Sequence, residues 1–357
     1  MNNTEIIILF VITILATVFF TYYIRRLLLK ARITDSPIVS EHRHKTGTPT
    51  MGGVAFLFTI LLIISIYYHN TIVLITSFIM LAAGIMGLID DLIGLKVQEV
   101  QKLAKNITNQ VVSIGLLDLK PGDEARIATD KAKKELDALV KENKLEVIAE
   151  LPIKYETGEL EKIIAQVLIG LFLALTGVVT TLGGFSLGIL APIIIIIAVL
   201  GAINAVNLID GMDGLAAGIL AIASFSAMIF GFINGRMDVI PPFAILTGIC
   251  LGFLVFNKYP ASIFMGDTGS FILGAGFAAA VLITDIPYFG LLSLGVPIGS
   301  VIISLIHRAG IIHLPVEPLH HTLNFKGISE QKIILSYWIV TALLCIVGLV
   351  VDYFVFI

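Results

Sequence analysis

The sequence predicts an all-α polytopic membrane protein with about ten transmembrane helices, both termini outside, and a small α/β cytoplasmic insert between helices 3 and 4. Three observations lead to this prediction. The 357-residue chain is 57% hydrophobic and 14% charged, with a mean hydropathy of +0.99; average soluble domains contain roughly 25% charged residues. The apolar residues form segments of membrane-spanning length. The basic residues lie almost entirely on one side of those segments.

Ten apolar segments are candidate spans, because a transmembrane helix needs about 20 mostly apolar residues. They cover residues 6–24, 53–68, 72–89, 163–182, 187–203, 215–233, 239–256, 271–283, 287–306 and 333–354. Pro297 is expected to kink the ninth, since proline removes a backbone donor. The chain therefore divides into helices 1–3 (residues 1–94), a soluble insert (95–160) and helices 4–10 (161–357).

The distribution of Lys and Arg predicts the orientation. Short loops after the odd-numbered spans hold ten of these residues, whereas the loops on the other side hold only Arg236. Positively charged loops face the cytoplasm. We therefore expect a multi-pass plasma-membrane protein whose odd-numbered loops are cytoplasmic.

The insert is the one long stretch with a soluble composition. Residues 111–117 and 145–151 predict strands, and residues 129–144 predict a helix with Leu136 and Leu139 on one face. This pattern indicates a β-α-β appendage without a recognisable catalytic signature.

Acidic residues recur at the cytoplasmic ends of the spans. Asp90 and Asp91 end the third span, where two adjacent carboxylates favour a cation site or a catalytic base over a solvated helix end. Asp267 opens the eighth span, where a helix N-cap is the simpler alternative. Oxygen ligands without nearby Cys favour Mg²⁺, or Mn²⁺, over zinc.

Polar residues also recur every three positions after the fifth span. They are Asn204, Asn207, Asp210 and Asp213. This spacing, interrupted by two glycines, predicts that the four side chains converge on one pocket. A role as N-cap of the sixth span would explain only Asp213.

Two further cytoplasmic segments suit a phosphate group. Lys45, Thr48 and Thr50 precede a glycine pair, so hydroxyls, free N–H groups and one charge approach a helix N-terminus. A plain turn is the simpler interpretation of that segment alone. His320 and His321 are adjacent, which fits phosphate binding or proton transfer better than zinc ligation.

Five of these motifs together resemble the polyprenyl-phosphate N-acetylhexosamine-1-phosphate transferases. The motifs are KTGTPTMGG (45–53), GLIDD (87–91), NAVNLIDGMDG (204–214), FMGDTGS (264–270) and PLHHTLNFKGISEQ (318–331). They occur in the family's order. The histidine motif is most similar to that of phospho-N-acetylmuramoyl-pentapeptide transferases, although Thr322 stands where those usually have a third His.

The resemblance implies that a UDP-activated amino sugar gives its sugar-1-phosphate to a polyprenyl phosphate and releases UMP. It implies that Asp267 binds Mg²⁺ and that Asp90 or Asp91 deprotonates the lipid phosphate. Other residues would bind the substrates: Lys162, Asn204, Asn207, Asp210 and Asp213 at the nucleotide and diphosphate, Phe264 on uracil, and His320 and His321 at phosphate or sugar. Whether attack is direct or passes through an aspartyl-phosphate stays open.

Several alternatives remain at this stage. The donor is a UDP-muramoyl-pentapeptide-like molecule or UDP-N-acetylglucosamine. An ion-coupled transporter and a lipid-phosphate receptor are the rivals from other classes, although the acids lie at one membrane face rather than at the midplane. The expected partners are the two substrates and the bilayer, with a homodimer left open. The net charge of −3 argues against nucleic acid.

Overall fold

The computed structural model describes residues 1–34, 47–96, 98–114, 117–127, 130–154 and 158–356. The chain divides into two compact units. One comprises Met1–Asp91 and Gly158–Ile357, and the other comprises Leu92–Thr157. The first unit is built from helices and a two-stranded hairpin, whereas the second combines strands with one helix.

The elements are numbered here in chain order. They are α1 (Asn3–Ala31), α2 (Val54–Tyr67), α3 (Thr71–Lys96), β1 (Gln98–Asn106), β2 (Val112–Ile114), β3 (Leu117–Leu119), β4 (Glu124–Ile127), α4 (Asp130–Lys141), β5 (Leu145–Lys154), α5 (Glu159–Leu175), β6 (Thr181–Leu182), β7 (Phe185–Ser186), α6 (Ala191–Ile209), α7 (Leu215–Ile233), α8 (Ile240–Asn257), α9 (Gly266–Ile283), α10 (Pro287–Ser293), α11 (Gly295–Arg308), α12 (Leu319–Phe325) and α13 (Glu330–Phe356).

The lengths and apolar compositions of the helices are those of a multi-pass membrane protein. Among the described residues, seven helices are long and apolar enough to cross a membrane, and α10 with α11 makes an eighth if that bent pair is one span. Two further predicted segments form shorter helices, α2 with 14 residues and α5 with 17. The count of ten spans and the outside location of both termini stay predictions.

The fourth predicted span, 163–182, is wrong at its C-terminal end. Helix α5 ends at Leu175, and Thr181–Leu182 instead pairs with Phe185–Ser186 in an antiparallel hairpin. The β-branched residues that follow α5 favour extended backbone. Gly183 and Gly184 both have positive φ, which a two-residue hairpin turn requires.

The ninth span bends earlier than predicted. Helices α10 and α11 meet at an angle of 63°, and the break falls at Leu294. Pro297 lies in the first turn of α11, where the N–H that proline lacks has no intrahelical partner in any case. The expected kink at Pro297 is therefore displaced to the start of a new helix.

The insert contains more strand than predicted. Its main sheet is antiparallel in the order β4-β1-β5, and β1 was not anticipated. The predicted strand at 111–117 is a short β2–β3 hairpin in the described residues. Helix α4 and the strand at β5 agree with the sequence pattern, and Leu136 of α4 is fully buried in this unit's hydrophobic core.

Helix α9 is the centre of the first unit. Residues from Thr268 to Leu282 are all buried, and α9 contacts α2, α6, α7, α8 and α10. Small residues allow these close approaches: a Cβ on Gly274 would lie 2.7 Å from the Ile203 Cα of α6. The tight packing fixes where the first turn of α9, which contains Asp267, lies among the neighbouring helices.

Candidate active site

The acid pair of α3 lies inside the protein rather than at a solvated helix end. Helix α3 continues to Lys96, and Asp90 and Asp91 are only 1% and 0% exposed. Neighbouring residues of a helix point about 100° apart. The two carboxylates consequently contact different partners. Asp90 and Asp91, which the sequence presented as one acidic pair, therefore have two separate roles.

Asp91 caps the N-terminus of α9 from another helix. Its carboxylate accepts hydrogen bonds from the backbone N–H of Asp267 (3.3 Å), from the backbone N–H of Thr268 (3.0 Å) and from the Thr268 hydroxyl (2.6 Å). The N-cap residue, Met265, makes no side-chain cap of its own. Asp91 therefore stabilises the helix start for which Asp267 was the alternative N-cap candidate.

Asp90 belongs to an ion cluster with Lys162 and Asp267. The Lys162 Nζ lies 2.6 Å from the Asp90 Oδ2 and 3.8 Å from the Asp267 Oδ2. The side chains of Lys162 and Asp267 are 17% and 23% exposed. One ammonium thus faces two carboxylates from two different helices.

The orientation of the Asp267 carboxylate is fixed from α6. The Asn207 amide nitrogen donates to the Asp267 Oδ1 (2.8 Å) and to the Ser270 hydroxyl (2.9 Å). Both amide hydrogens are accounted for by these bonds. Asn207 therefore orients Asp267, and Oδ2 of that carboxylate is the oxygen that faces Lys162.

The other predicted residues after α6 have separate surroundings. Asn204 hydrogen-bonds Gln166 of α5. Asp210 is half-buried at the C-cap of α6. The Asp213 carboxylate accepts a hydrogen bond from the Ala261 N–H (2.7 Å). The backbone N–H of Asp213 donates to the Glu330 carboxylate (2.9 Å). The described hydrogen-bond partners thus differ among the four residues, and their convergence on one pocket stays a prediction.

The two histidines pack against the glycine between these aspartates. The ring centroids of His320 and His321 are 4.4 Å apart, and His320 is fully buried. A Cβ on Gly211 would lie 2.7 and 2.8 Å from their Nε2 atoms. Glycine is needed at this position because any side chain would displace the imidazoles.

The glycine pair after Thr50 serves packing rather than anion binding. The N–H groups of Gly52 and Gly53 donate to the carbonyls of Phe264 (2.7 Å) and Met265 (2.8 Å), so they are not the free donors that were expected. Thr48, Thr50 and Phe264 are half-buried. The predicted Lys45 lies outside the described residues.

Four residues with these contacts were not selected as site residues from the sequence. They are Gln166, Thr268, Ser270 and Glu330. Gln166 had a detectable signal, because it is a polar residue within an apolar helix, one turn after a lysine. The other three lie within the quoted motifs 264–270 and 318–331, which did not show which of their polar side chains make contacts at the site.

The donor set suits magnesium in one particular way. Among the described residues there is no group of three or more His, Cys, Asp or Glu side chains placed to hold a metal. Mg²⁺ often uses only one or two carboxylates together with substrate phosphates and water. The Asp267 carboxylate, oriented by Asn207 and 23% exposed, would fit that mode, whereas the position between Asp90 and Asp267 is taken by the Lys162 ammonium.

Comparison with known proteins identifies the family. A protein of Methanothermobacter thermautotrophicus described as a putative phospho-N-acetylmuramoyl-pentapeptide-transferase is 55% identical over 345 residues, which is 97% of each chain. The chain belongs to this transferase family. The profile of glycosyl transferase family 4 matches residues 154–285, and signature 1 of the phospho-N-acetylmuramoyl-pentapeptide-transferases matches residues 45–57.

More distant members of the transferase family align over most of the chain. A phospho-N-acetylmuramoyl-pentapeptide-transferase of Desulforudis audaxviator is 32% identical over 333 residues, 88% of this chain and 87% of its own. One of Acetivibrio thermocellus is 30% identical over 321 residues, 88% and 84%. The protein is therefore a multi-pass membrane transferase.

Proposed function

We propose that the protein transfers a sugar-1-phosphate from a UDP-activated N-acetylated amino sugar to a polyprenyl phosphate, releasing UMP. A donor like UDP-N-acetylmuramoyl-pentapeptide is favoured by the names of the relatives. The observation that most supports the proposal is the ion cluster at the start of α9, where the Lys162 ammonium is held between Asp90 and Asp267. Phosphoryl transfer depends mainly on positioning and charge neutralisation, which such a cluster provides.

Asp90 is the proposed base. In the reaction, an oxygen of the lipid phosphate forms a bond to the sugar-bearing phosphorus of the donor, and the bond from that phosphorus to the UMP oxygen breaks. The proton of the lipid phosphate passes to the Asp90 carboxylate. Asp91 is less suited to this role, because its carboxylate already accepts three hydrogen bonds from Asp267 and Thr268.

Lys162 and Asp267 are proposed to bind the donor diphosphate. The ammonium would pair with phosphate oxygens, and Asp267, oriented by Asn207, would hold Mg²⁺ or Mn²⁺. When bound, such a cation would supply charge neutralisation for the pyrophosphate and the departing UMP. Phe264 is proposed to stack on uracil; Lys45, Thr48, Thr50, His320 and His321 remain proposed substrate contacts.

The membrane arrangement follows from the same proposal. We propose that the site faces the cytoplasm at the plasma membrane, because ten of the eleven Lys and Arg residues in the short loops lie on that side. The soluble donor would then enter from the cytoplasm, while the lipid acceptor would enter from the bilayer.

The direct test uses the purified full chain with polyprenyl phosphate, Mg²⁺ and two radiolabelled donors, UDP-N-acetylmuramoyl-pentapeptide and UDP-N-acetylglucosamine. We expect UMP release and a labelled lipid with the first donor. Labelled lipid only with the second would redirect the proposal to glycan assembly. No UMP from either donor, with lipid phosphate still bound, would favour the receptor alternative and refute the transferase reaction.

Metal dependence is tested separately. Chelation with EDTA should abolish turnover, and added Mg²⁺ should restore it. Asp267→Asn should raise the Mg²⁺ concentration needed for half-maximal rate by at least about tenfold, since altering metal ligation typically costs 10- to 100-fold in metal affinity. An unchanged Mg²⁺ requirement in that variant would contradict the ligand role.

A further inference from the structure

A pair of amides joins α5 to α6 beside the ion cluster. The Asn204 amide nitrogen donates to the Gln166 Oε1 (2.6 Å), and the Gln166 amide nitrogen lies 3.5 Å from the Asn204 Oδ1. Gln166 is completely buried, and Asn204 is half-buried. An amide pair of this kind fixes the separation and rotation of two helices, because breaking it leaves the buried amide of Gln166 unsatisfied.

Both hydrogens of the Asn204 side-chain amide are donated to acceptors within the protein. Its amide nitrogen also donates to the Leu200 carbonyl (2.8 Å), so both of its hydrogens have acceptors. The amide of Asn204 therefore has no hydrogen left for a substrate. This arrangement argues for a different role from the substrate contact suggested by the motif.

The amide pair is linked to the ion cluster along both helices. Lys162 and Gln166 are four residues apart on α5, and Asn204 and Asn207 are three apart on α6, so each pair shares a helix face. Asn207 in turn holds Asp267, which lies 3.8 Å from Lys162. These contacts form a closed ring through α5, α9 and α6.

We propose that Gln166 is a positioning residue for Lys162. By bonding Asn204, it sets the rotation of α5 and holds the Lys162 Nζ between Asp90 and Asp267. The consequence for catalysis rests on the proposed function, whereas the placement of the ammonium does not. A residue that only fills space at this position would affect stability without changing the environment of Lys162.

The first experiment measures the placement of Lys162 directly. Wild type, Gln166→Met and Gln166→Asn are labelled with trace acetic anhydride, and acetylation of Lys162 is compared by mass spectrometry with that of exposed Lys332. Methionine keeps the side-chain length, and asparagine keeps the amide but shortens it. Thr247→Val is the matched control, because it removes a buried hydroxyl that bonds only within α8.

We expect the ratio of Lys162 to Lys332 labelling to rise at least about threefold in both Gln166 variants, since an amine released from its carboxylates becomes more reactive. The ratio should stay at the wild-type value in Thr247→Val. An unchanged ratio in a folded Gln166 variant would overturn the proposal. If Gln166→Met fails to fold, Gln166→Asn with its amide intact supplies the result.

The second experiment measures kcat. It tests whether a compensating change at Asn204 rescues a Gln166 variant, and whether the effect of that variant depends on Lys162. Gln166→Asn should lower kcat by about tenfold or more, because misplacing a group by ~1 Å can cost about 100-fold. Adding Asn204→Gln should recover most of the loss, since the summed length of the pair is restored. In a Lys162→Met background, Gln166→Asn should cause no further loss.

The outcomes separate this inference from the proposed function. Gln166 would act only through packing if Gln166→Asn lowered kcat equally with and without Lys162. The same conclusion would follow if Gln166→Asn combined with Asn204→Gln failed to recover both the labelling ratio and kcat. If wild type transfers no sugar phosphate, the proposed function fails, while the labelling ratio still decides the positioning role. If Lys162→Met has no measurable activity, the positioning role is decided by the labelling ratio and by the rate of the Gln166→Asn, Asn204→Gln double variant.

Discussion

The two ends of α9 are both capped by residues from other parts of the chain. At the N-terminus the Asp91 carboxylate accepts the Thr268 N–H (3.0 Å), and at the C-terminus the Arg236 guanidinium donates to the Thr284 carbonyl (2.6 Å). An acid at the N-terminus and a base at the C-terminus each complement the helix dipole. The ends of this 18-residue helix are about 27 Å apart.

The ends differ in how deeply their charged groups are buried. Arg236 forms two hydrogen bonds to Asp238 (3.0 and 2.7 Å), which raises the pKa of its guanidinium, and the two side chains are 34% and 40% exposed. At the other end, Asp90 and Asp267 both face Lys162, and Asp90 is buried. Accessible charges stabilise an end modestly, whereas buried charges are costly and are typical of a functional site.

Asp90→Asn tests the buried, N-terminal end of α9 most strongly. The amide retains the size of the side chain but cannot take a proton, so kcat for UMP release should fall by about 10²–10⁴-fold. The melting temperature should change little. Asp238→Asn at the other end is the control and should keep the wild-type kcat. A loss of less than tenfold for Asp90→Asn would contradict the role of Asp90 as base.

Lys162→Met should have the next largest effect. It removes the ammonium that faces both carboxylates, and under the proposed function it also removes the cation that would pair with the donor diphosphate. We expect kcat to fall by about 10²-fold, with a higher KM for the UDP-sugar in steady-state assays. An unchanged KM together with an unchanged kcat would remove Lys162 from the site.

Asp91→Ala separates the cap from the chemistry. Loss of the acceptor for three hydrogen bonds should lower the free energy of unfolding by about 1–2 kcal/mol, detected as a lower melting temperature in detergent. Asp91→Asn keeps one acceptor oxygen, so its free energy of unfolding should fall by less than that of Asp91→Ala. If Asp91→Ala abolished turnover without reducing stability, the capping role would be wrong and Asp91 would become the better candidate base.

Arg236→Met should have the smallest effect. Partly exposed ion pairs contribute about 0–1 kcal/mol, so the melting temperature should fall slightly and UMP release should stay at the wild-type rate. Ionic strength provides a second check, because salt should reduce the difference in stability between Arg236→Met and wild type. A large loss of turnover would mean that the two ends of α9 are coupled.

Much of the fold could be predicted because membranes impose simple local constraints. Long apolar segments must be helical, since the bilayer offers no partners for backbone polar groups. The helices α7 and α8 therefore closely match their predicted segments, whereas α1 extends beyond its predicted segment at both ends. The errors fall where local signals compete: the end of α5, where β-branched residues and glycines form a hairpin, and the start of α11, where a proline begins a helix.

The candidate site was only partly predictable for a different reason. The residue types of the cluster were visible as polar groups in an apolar context, and Asp90, Lys162, Asn207 and Asp267 were all selected. Their division of labour was not visible, because adjacent residues such as Asp90 and Asp91 differ only in the direction that they face. The partners of each carboxylate come from α5 and α9, far away in sequence.

The sequence by itself determined a membrane protein and its chemistry-bearing residues, because hydropathy, charge placement and motif order are properties of the chain. Only the tertiary structure decided which acid is a helix cap, which faces a lysine, and that Asn204 bonds Gln166. Those assignments depend on the packing around α9. Close helix contacts bring together side chains whose separation along the chain gives no indication of their distance in space.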